Sequence, residues 1–346
     1  MGVSGDDGAW ERLRASRWDP PGATCQSEER RRTYVFALEQ AEQMFRAAEG
    51  VGPGTRPLLV FYGLSQAGRA IAAAASSIRT GCGWQLEGHG IHTQKLRDPL
   101  AEIRVISDSA ASKGSFVRLS ELLGSPLWAK SVPVTLGSLW DLLPGNRIWP
   151  LRDEDESRRT PLWVEHRDLF SEPHPMVSVP VVYFPPWVVN SPQPHRSLAE
   201  YLASFPEARD FQSIVQVRGE LSFQSHPDGW GELVMNWLLP GGRPGSLAER
   251  LDFVRAMTRP YAGSLYFFPA QGDADRSLHP LMAWWAVLHV LSMLARYQPA
   301  EWSAHISVDS SRHAVPLERL LREAIGIVPR LIAEAIDEVA SAPSPA

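Results

Sequence analysis

The chain has 346 residues, 44% of them hydrophobic, and a formal net charge of −5. That content excludes a disordered chain and allows one large or two ordinary domains, while the acidic balance argues against a broad nucleic-acid or anionic-membrane footprint and leaves room only for a local basic groove. The two cysteines, Cys25 and Cys82, are far apart and outside any CxxC or Cys/His cluster, which excludes a disulfide framework or structural zinc site and fits a cytoplasmic protein.

The opening, MGVSGDDGAW, has neither the apolar run of a signal peptide nor a Ser or Thr at the sixth position for myristoylation. Residues 1–26, rich in Gly, Asp and Pro, are expected to form a loose lead-in. Ser27 followed by Glu28 and Glu29 marks a helix start. Tyr34, Leu38, Ala41 and Phe45 then recur at three- and four-residue steps, giving one apolar face that stops at Gly50–Pro57.

From Pro57 to about Thr80 the pattern is apolar nearly all round, which predicts a central helix. Tyr62, Gln66 and Arg69 share one stripe of it and are expected to carry a polar line into the interior. GLSQAG, Gly63–Gly68, imitates the G-x-S-x-G elbow of serine hydrolases with Ala67 in place of the second Gly. An elbow needs a strand before Ser65 and a helix after it, and the alternative is a polar residue in an Ala-rich helix. His89 and His92 lie in a Gly-rich loop, at a spacing compatible with metal ligation or with ligand contact by close backbone approach. No third ligand accompanies them, so neither a metal nor a cofactor is expected.

The middle, 101–270, is expected to be mixed and β-rich, largely antiparallel, with strand-like runs EIRVIS, SFVRL, MVSVPVVYF, FQSIVQVRGELSF, ELVMNWLL and SLYFF between Pro and Gly clusters. TLGSLWDLLPG predicts a short helix capped at Thr135, and RDEDESRR at 152–159 a solvated loop. The end returns to helix: Pro280–Tyr297, then Pro316 to about Ala340, with a tail at 341–346. Leu281 to Ala295 falls short of the roughly 20 residues that cross a bilayer, so no membrane partner is expected. The whole reads as an α+β protein whose helical N- and C-terminal segments (27–100 and 271–340) pack together in a single domain, 27–340, around a β-containing middle.

Five segments together resemble the YaaC-like family of bacterial proteins: RPLLVFYGLSQAGRAI at 56–71, GHGIH at 88–92, KGSFVRL at 113–119, TLGSLWDLLP at 135–144 and HPLMAWWAVLHVLSMLARYQPAEW at 279–302. The resemblance covers most of the chain beyond residue 27. One departure is QPAEW, which supplies only Trp302 where the family typically carries two Trp positions. More distantly, the paired helices resemble the HEPN class of nucleic-acid-associated modules, whose active members place Arg and His on one helix with four to six residues between them and cleave RNA without metal. Arg159 with His166, and Arg167 with His174, match that spacing. With ten His and this many Arg such matches arise by chance.

His289, Ser292 and Arg296 form the polar line of the last long apolar helix. An Arg in an apolar helix must be paired or reach water. Two readings stay open: Arg296 bonding the helix-end carbonyls, with His289 satisfied in the core, or the line meeting Tyr62, Gln66 and Arg69 to form an anion or nucleotide pocket. The function expected is binding, of an anionic small molecule, nucleotide or RNA, or of a protein partner. The ligand-binding candidates are Tyr62, Gln66, Arg69, His89, His289, Ser292 and Arg296.

Overall fold

The computed structural model describes residues 5–78, 83–153, 156–166, 172–208, 211–213, 221–272 and 274–343. The chain divides into two compact units, one made of Met1–Asp153 with His279–Ala346 and the other of Glu154–Leu278.

In the first unit the expected lead-in is instead a helix, α1 (Gly5–Trp18), followed by a 3-10 turn. Trp10 and Leu13 are buried, Trp10 lies 5.4 Å from the Phe45 ring, and Arg14 and Arg17 reach Glu42. Gly and Asp lower helix propensity, but an apolar pair with an acceptor waiting across the groove outweighs it. Helix α2 (Glu28–Glu49) starts where Ser27 accepts from the Arg30 amide, and its predicted face is buried. Helix α3 (Arg56–Ala74) packs against it. It ends short of Thr80, where the buried Arg30 guanidinium bonds the carbonyls of Ala73 and Ala75 and satisfies helix-end acceptors.

Strands β1 (Ile91–Gln94), β2 (Arg104–Ser107) and β3 (Val134–Thr135) pair antiparallel in that order. The run SFVRL, expected as a strand, is helix α4 (Ser115–Leu122). Its first amides find acceptors in the loop before β1, and that tertiary pairing overrides the β-leaning composition. Helix α5 (Leu136–Asp141) begins at Thr135 in a capping box with Ser138, as the sequence predicts.

The second unit is built on an antiparallel sheet. Strands β4 (Leu162–Val164), β5 (Met176–Phe184), β6 (Gln212–Ser213), β7 (Gln224–Ser225), β8 (Gly231–Leu238), β9 (Arg259–Tyr261) and β10 (Ser264–Phe267) run in the order β6-β8-β5-β4-β10-β9, with β7 also on β8. Val177, Val179 and Val181 alternate into the core with Met235 and Trp237 of the facing strand. A bulge at Tyr183, whose φ is +83°, shifts the register before Phe184 pairs with Gly231. Three helices stand between the strands of this mixed region: α6 (Pro186–Val189), α7 (Pro194–Leu202) and α8 (Leu247–Met257). The start of α8 was written in the sequence as S-x-x-E, Ser246 and Glu249 bonding each other's backbone.

The first unit closes with α9 (Pro280–Tyr297), α10 (Pro299–Ile306) and α11 (Ala314–Ser341), so the helical N- and C-terminal segments do pack together: α3 lies against both α9 and α11. The ring of His279 caps α9, Nδ1 accepting from the Leu281 amide at 3.2 Å while Nε2 meets Glu338 of α11 at 3.2 Å. Among the described residues no helix is long and apolar enough to cross a membrane.

Candidate functional site

The Gly-rich loop before β1 is anchored through its backbone. Ser115 donates to the Gly88 carbonyl from both its amide (3.1 Å) and its hydroxyl (2.9 Å), and the Phe116 amide donates to the His89 carbonyl at 2.9 Å. Gly90, at φ +68°, lies back to back with Gly114, and a Cβ on either would overlap the other's backbone. The loop therefore holds His89 at a set position over α3, its ring 5.6 Å from Phe61. His92 turns the other way. Its Nε2 meets Asp108 Oδ1 at 2.8 Å, and Asp108 in turn accepts from Ser112. Among the described residues no group of three or more His, Cys, Asp or Glu is placed to hold a metal ion.

The stripes of α3 and α9 meet at one point. Arg296 Nη1 donates to the Tyr62 hydroxyl at 2.6 Å, and its guanidinium lies 5.1 Å from the Tyr297 ring centroid. The bond goes to the neighbouring helix and not to the end carbonyls of α9. Arg69 and Arg296 are both solvent-exposed, so the polar line runs along the margin of the unit and not into its interior. Desolvating two guanidinium groups without counter-charges costs several kcal/mol each, roughly, and the helices are rotated so that this cost is avoided. Neither arginine has a carboxylate partner among the described residues. Partial burial, then the positive charges of Arg296, His92 and Arg69, hold the His89 imidazole below its ordinary value. Both arginines thus act on one histidine.

His289 lies beneath. It is 2% exposed, with its ring 5.2 Å from Phe61 and 6.0 Å from His89. Neither ring nitrogen has a hydrogen-bond partner among the described residues, in contrast to the satisfied core histidine that one reading of the sequence allowed. Burial first, then the charges of His89 and His92, push its pKa down to about 3, and the ring is neutral. An unpaired buried polar group costs about 1–3 kcal/mol, which marks this position as the polar floor of the cluster. Ser292 does not join it, because its hydroxyl is spent on the His289 carbonyl at 2.7 Å. Gln66 is half-buried and lies with Arg69, Arg32 and Gln40 along a surface cavity of about 480 Å³ between α2 and α3. Phe61 and Asp108 were not foreseen. Asp108 reaches His92 only because β1 and β2 pair Ile91 with Ser107, and nothing local announces that register.

The other sequence candidates separate from this place. Ser65 is inside α3, with helix on both sides instead of the strand an elbow requires. Its flanking glycines are packing contacts: a Cβ at Gly63 would strike Phe45 of α2, and one at Gly68 would strike Trp285 of α9 and Leu119 of α4. His166 and His174 belong to the second unit, off any helix, and their Nδ1 atoms face the backbone of Val164 and Met176. Arg159 lies over aromatic rings there, and Arg167 is outside the described residues.

A family model described as YaaC-like Protein matches residues 10–336. Comparison with curated proteins and with solved structures finds no match.

Proposed function

The chain belongs to the YaaC-like family, and from that premise we propose that it works by binding an anionic, phosphate-bearing ligand, a nucleotide or RNA, where α3, α9 and the 88–92 loop meet. The observation that supports this reading is a pair of exposed cations, Arg69 and Arg296, whose charges both act on His89 and which have no carboxylate partner among the described residues. Guanidinium groups engage phosphate oxygens in pairs of hydrogen bonds. His89 adds a ring whose pKa burial and the neighbouring positive charges hold below its ordinary value, and a bound anion would favour its protonated form. Tyr62 fixes the Arg296 guanidinium, and the packed histidine and phenylalanine rings keep the floor rigid.

The test is titration of the purified protein with ATP and with a fluorescein-labelled single-stranded RNA, for the wild type and an Arg69→Ala, Arg296→Ala double variant. The double variant should bind at least about tenfold more weakly, a loss of roughly 1.4 kcal/mol or more. Wild-type binding should tighten as pH falls, because the bound anion favours protonated His89. Full binding by the double variant, or turnover of either probe by the wild type, contradicts the proposal.

A further inference from the structure

The exposed aromatic rings of the first unit share one kind of neighbour. Among the described residues the large exposed hydrophobic side chains include three aromatics, Trp18 (87%), Phe36 (61%) and Tyr297 (52%), all in that unit. A single exposed ring is ordinary, but each of these adjoins an arginine. Tyr297 has the Arg296 guanidinium 5.1 Å from its centroid. Phe36 lines one surface hollow with Arg32 and Arg69 and a second with Arg31 and Arg32. Trp18 lies beside Arg31, which donates to its carbonyl oxygen at 3.2 Å. The two hollows, of about 480 and 590 Å³, run along α2 and adjoin across Arg32 and Phe36, one helical turn apart on one stripe. Arg69 lines the first and also acts on His89, which joins the groove to the site at α3, α9 and the 88–92 loop.

The groove is positive in a chain that is acidic as a whole. Four arginines and one carboxylate, Glu28, line the two hollows. Glu28 is 3.4 Å from Arg32, but both side chains are mostly exposed, and such a pair holds weakly enough for a phosphate to displace it. Arg17 is held by Glu39 and Glu42 and counts for little. Arg31 and Arg69 have no carboxylate partner among the described residues. Other acidic groups stand at the ends: Asp19 follows Trp18 in the chain, and Glu301 beyond Tyr297 faces Arg97 at 3.8 Å. Guanidinium groups and open ring faces thus alternate along one path. Phosphate oxygens take charge-assisted bonds from the first, and unpaired bases stack on the second. An acidic peptide would use the arginines and leave the rings in water, a duplex keeps its bases closed, and a mononucleotide spans one end only.

We propose that the phosphate-bearing ligand is a single-stranded polynucleotide laid along α2, from the Arg69 and Arg296 end toward α1, with phosphates on Arg69, Arg32 and Arg31 and bases stacked on Phe36 and Trp18. This rests on the anion-binding reading of that end and extends it along the groove.

Full-length protein is titrated with a fluorescein-labelled RNA strand of about 12 nucleotides, within the usual size of single-strand sites, with the same strand made duplex, and with ATP. The strand should bind more tightly than the duplex or ATP. A Trp18→Ala, Phe36→Ala variant, changed only at exposed rings, should keep its unfolding temperature and its affinity for ATP while binding the strand at least about tenfold more weakly. Arg32→Ala should lower the salt dependence of strand binding by about 0.7 in logarithmic slope. The proposal is overturned by no saturable strand binding, by equal affinity for the duplex, for poly-glutamate or for phosphatidylserine vesicles, or by a dimer that the aromatic variant dissolves. Strand binding that survives Arg69→Ala, Arg296→Ala refutes the anion-binding reading and this one with it. Strand binding that needs those arginines but not the two rings refutes the groove alone.

Discussion

The two units solve the same problem in opposite ways. The first draws its core from both ends of the chain, with α3 near the start held between α9 and α11 near the end; the second is one continuous stretch that folds an antiparallel sheet on itself. In the first, helices approach so closely that glycine is required where α3 meets Trp285, and polar groups are driven to the margin. In the second, strand alternation fills the core with Val, Met and Phe, while an aromatic cavity remains beside it. Tight helix packing leaves exposed cations at an edge, whereas a sheet with irregular connections leaves a hollow.

The largest test of that contrast is a cavity in each core. Trp285→Ala, at a fully buried ring, should cost about 3–5 kcal/mol, and Met235→Ala in the second unit about 2–5 kcal/mol. Hydrogen exchange should rise in α3, α4 and α9 for the first and in β5 and β8 for the second. Exchange that rises equally everywhere in either variant would dissolve the distinction between two cores.

Acid should come next in size and act on the first unit. His289 has an ordinary value of 6.5 and is pushed down to about 3 in the fold. The unfolded chain takes the proton first, so this contribution to stability is complete above pH 6.5 and is lost as pH falls toward 3. The slope from this one group is up to about 1.4 kcal/mol per pH unit. Denaturant titrations at pH 7 and pH 4.5 on wild type and His289→Leu measure it, and equal slopes in the two proteins would remove His289 from the account.

The smallest test compares caps. Thr135→Ala at α5 and Ser246→Ala at α8 each remove one side of a capping box, at about 1 kcal/mol apiece. A shift in urea midpoint without a change in slope is the expected result. A Ser246→Ala loss several times larger would mean that α8 is an organising element of its unit and not an ornament on the sheet.

Much of the helical framework was legible. Ser27, Thr135 and the apolar periodicity of α2, α9 and α11 mark elements through local chemistry, because capping and amphipathic burial are short-range rules. The misreadings share one cause. SFVRL became α4 because carbonyls from the 88–89 turn cap its first amides, and residues 5–26 are largely helical because Trp10 and Leu13 find a surface on the first unit. Of the candidate site, the meeting of Tyr62 with Arg296 followed from two stripes whose spacing was visible. Ser292 dropped out because a serine one turn from a free carbonyl bonds its own helix.

By itself the sequence determined the family, the α+β class, the helical ends and which residues shared a helix face, since these depend on order, spacing and periodicity along the chain. Tertiary structure alone decided that the arginines face water instead of the core, that His289 is buried with both nitrogens unpaired among the described residues, that Gly63 and Gly68 serve packing, and that Thr160 and Trp187 line one cavity. Rotation of a helix about its axis and the convergence of distant segments cost little to change locally. They are set by the summed burial and desolvation of everything they touch.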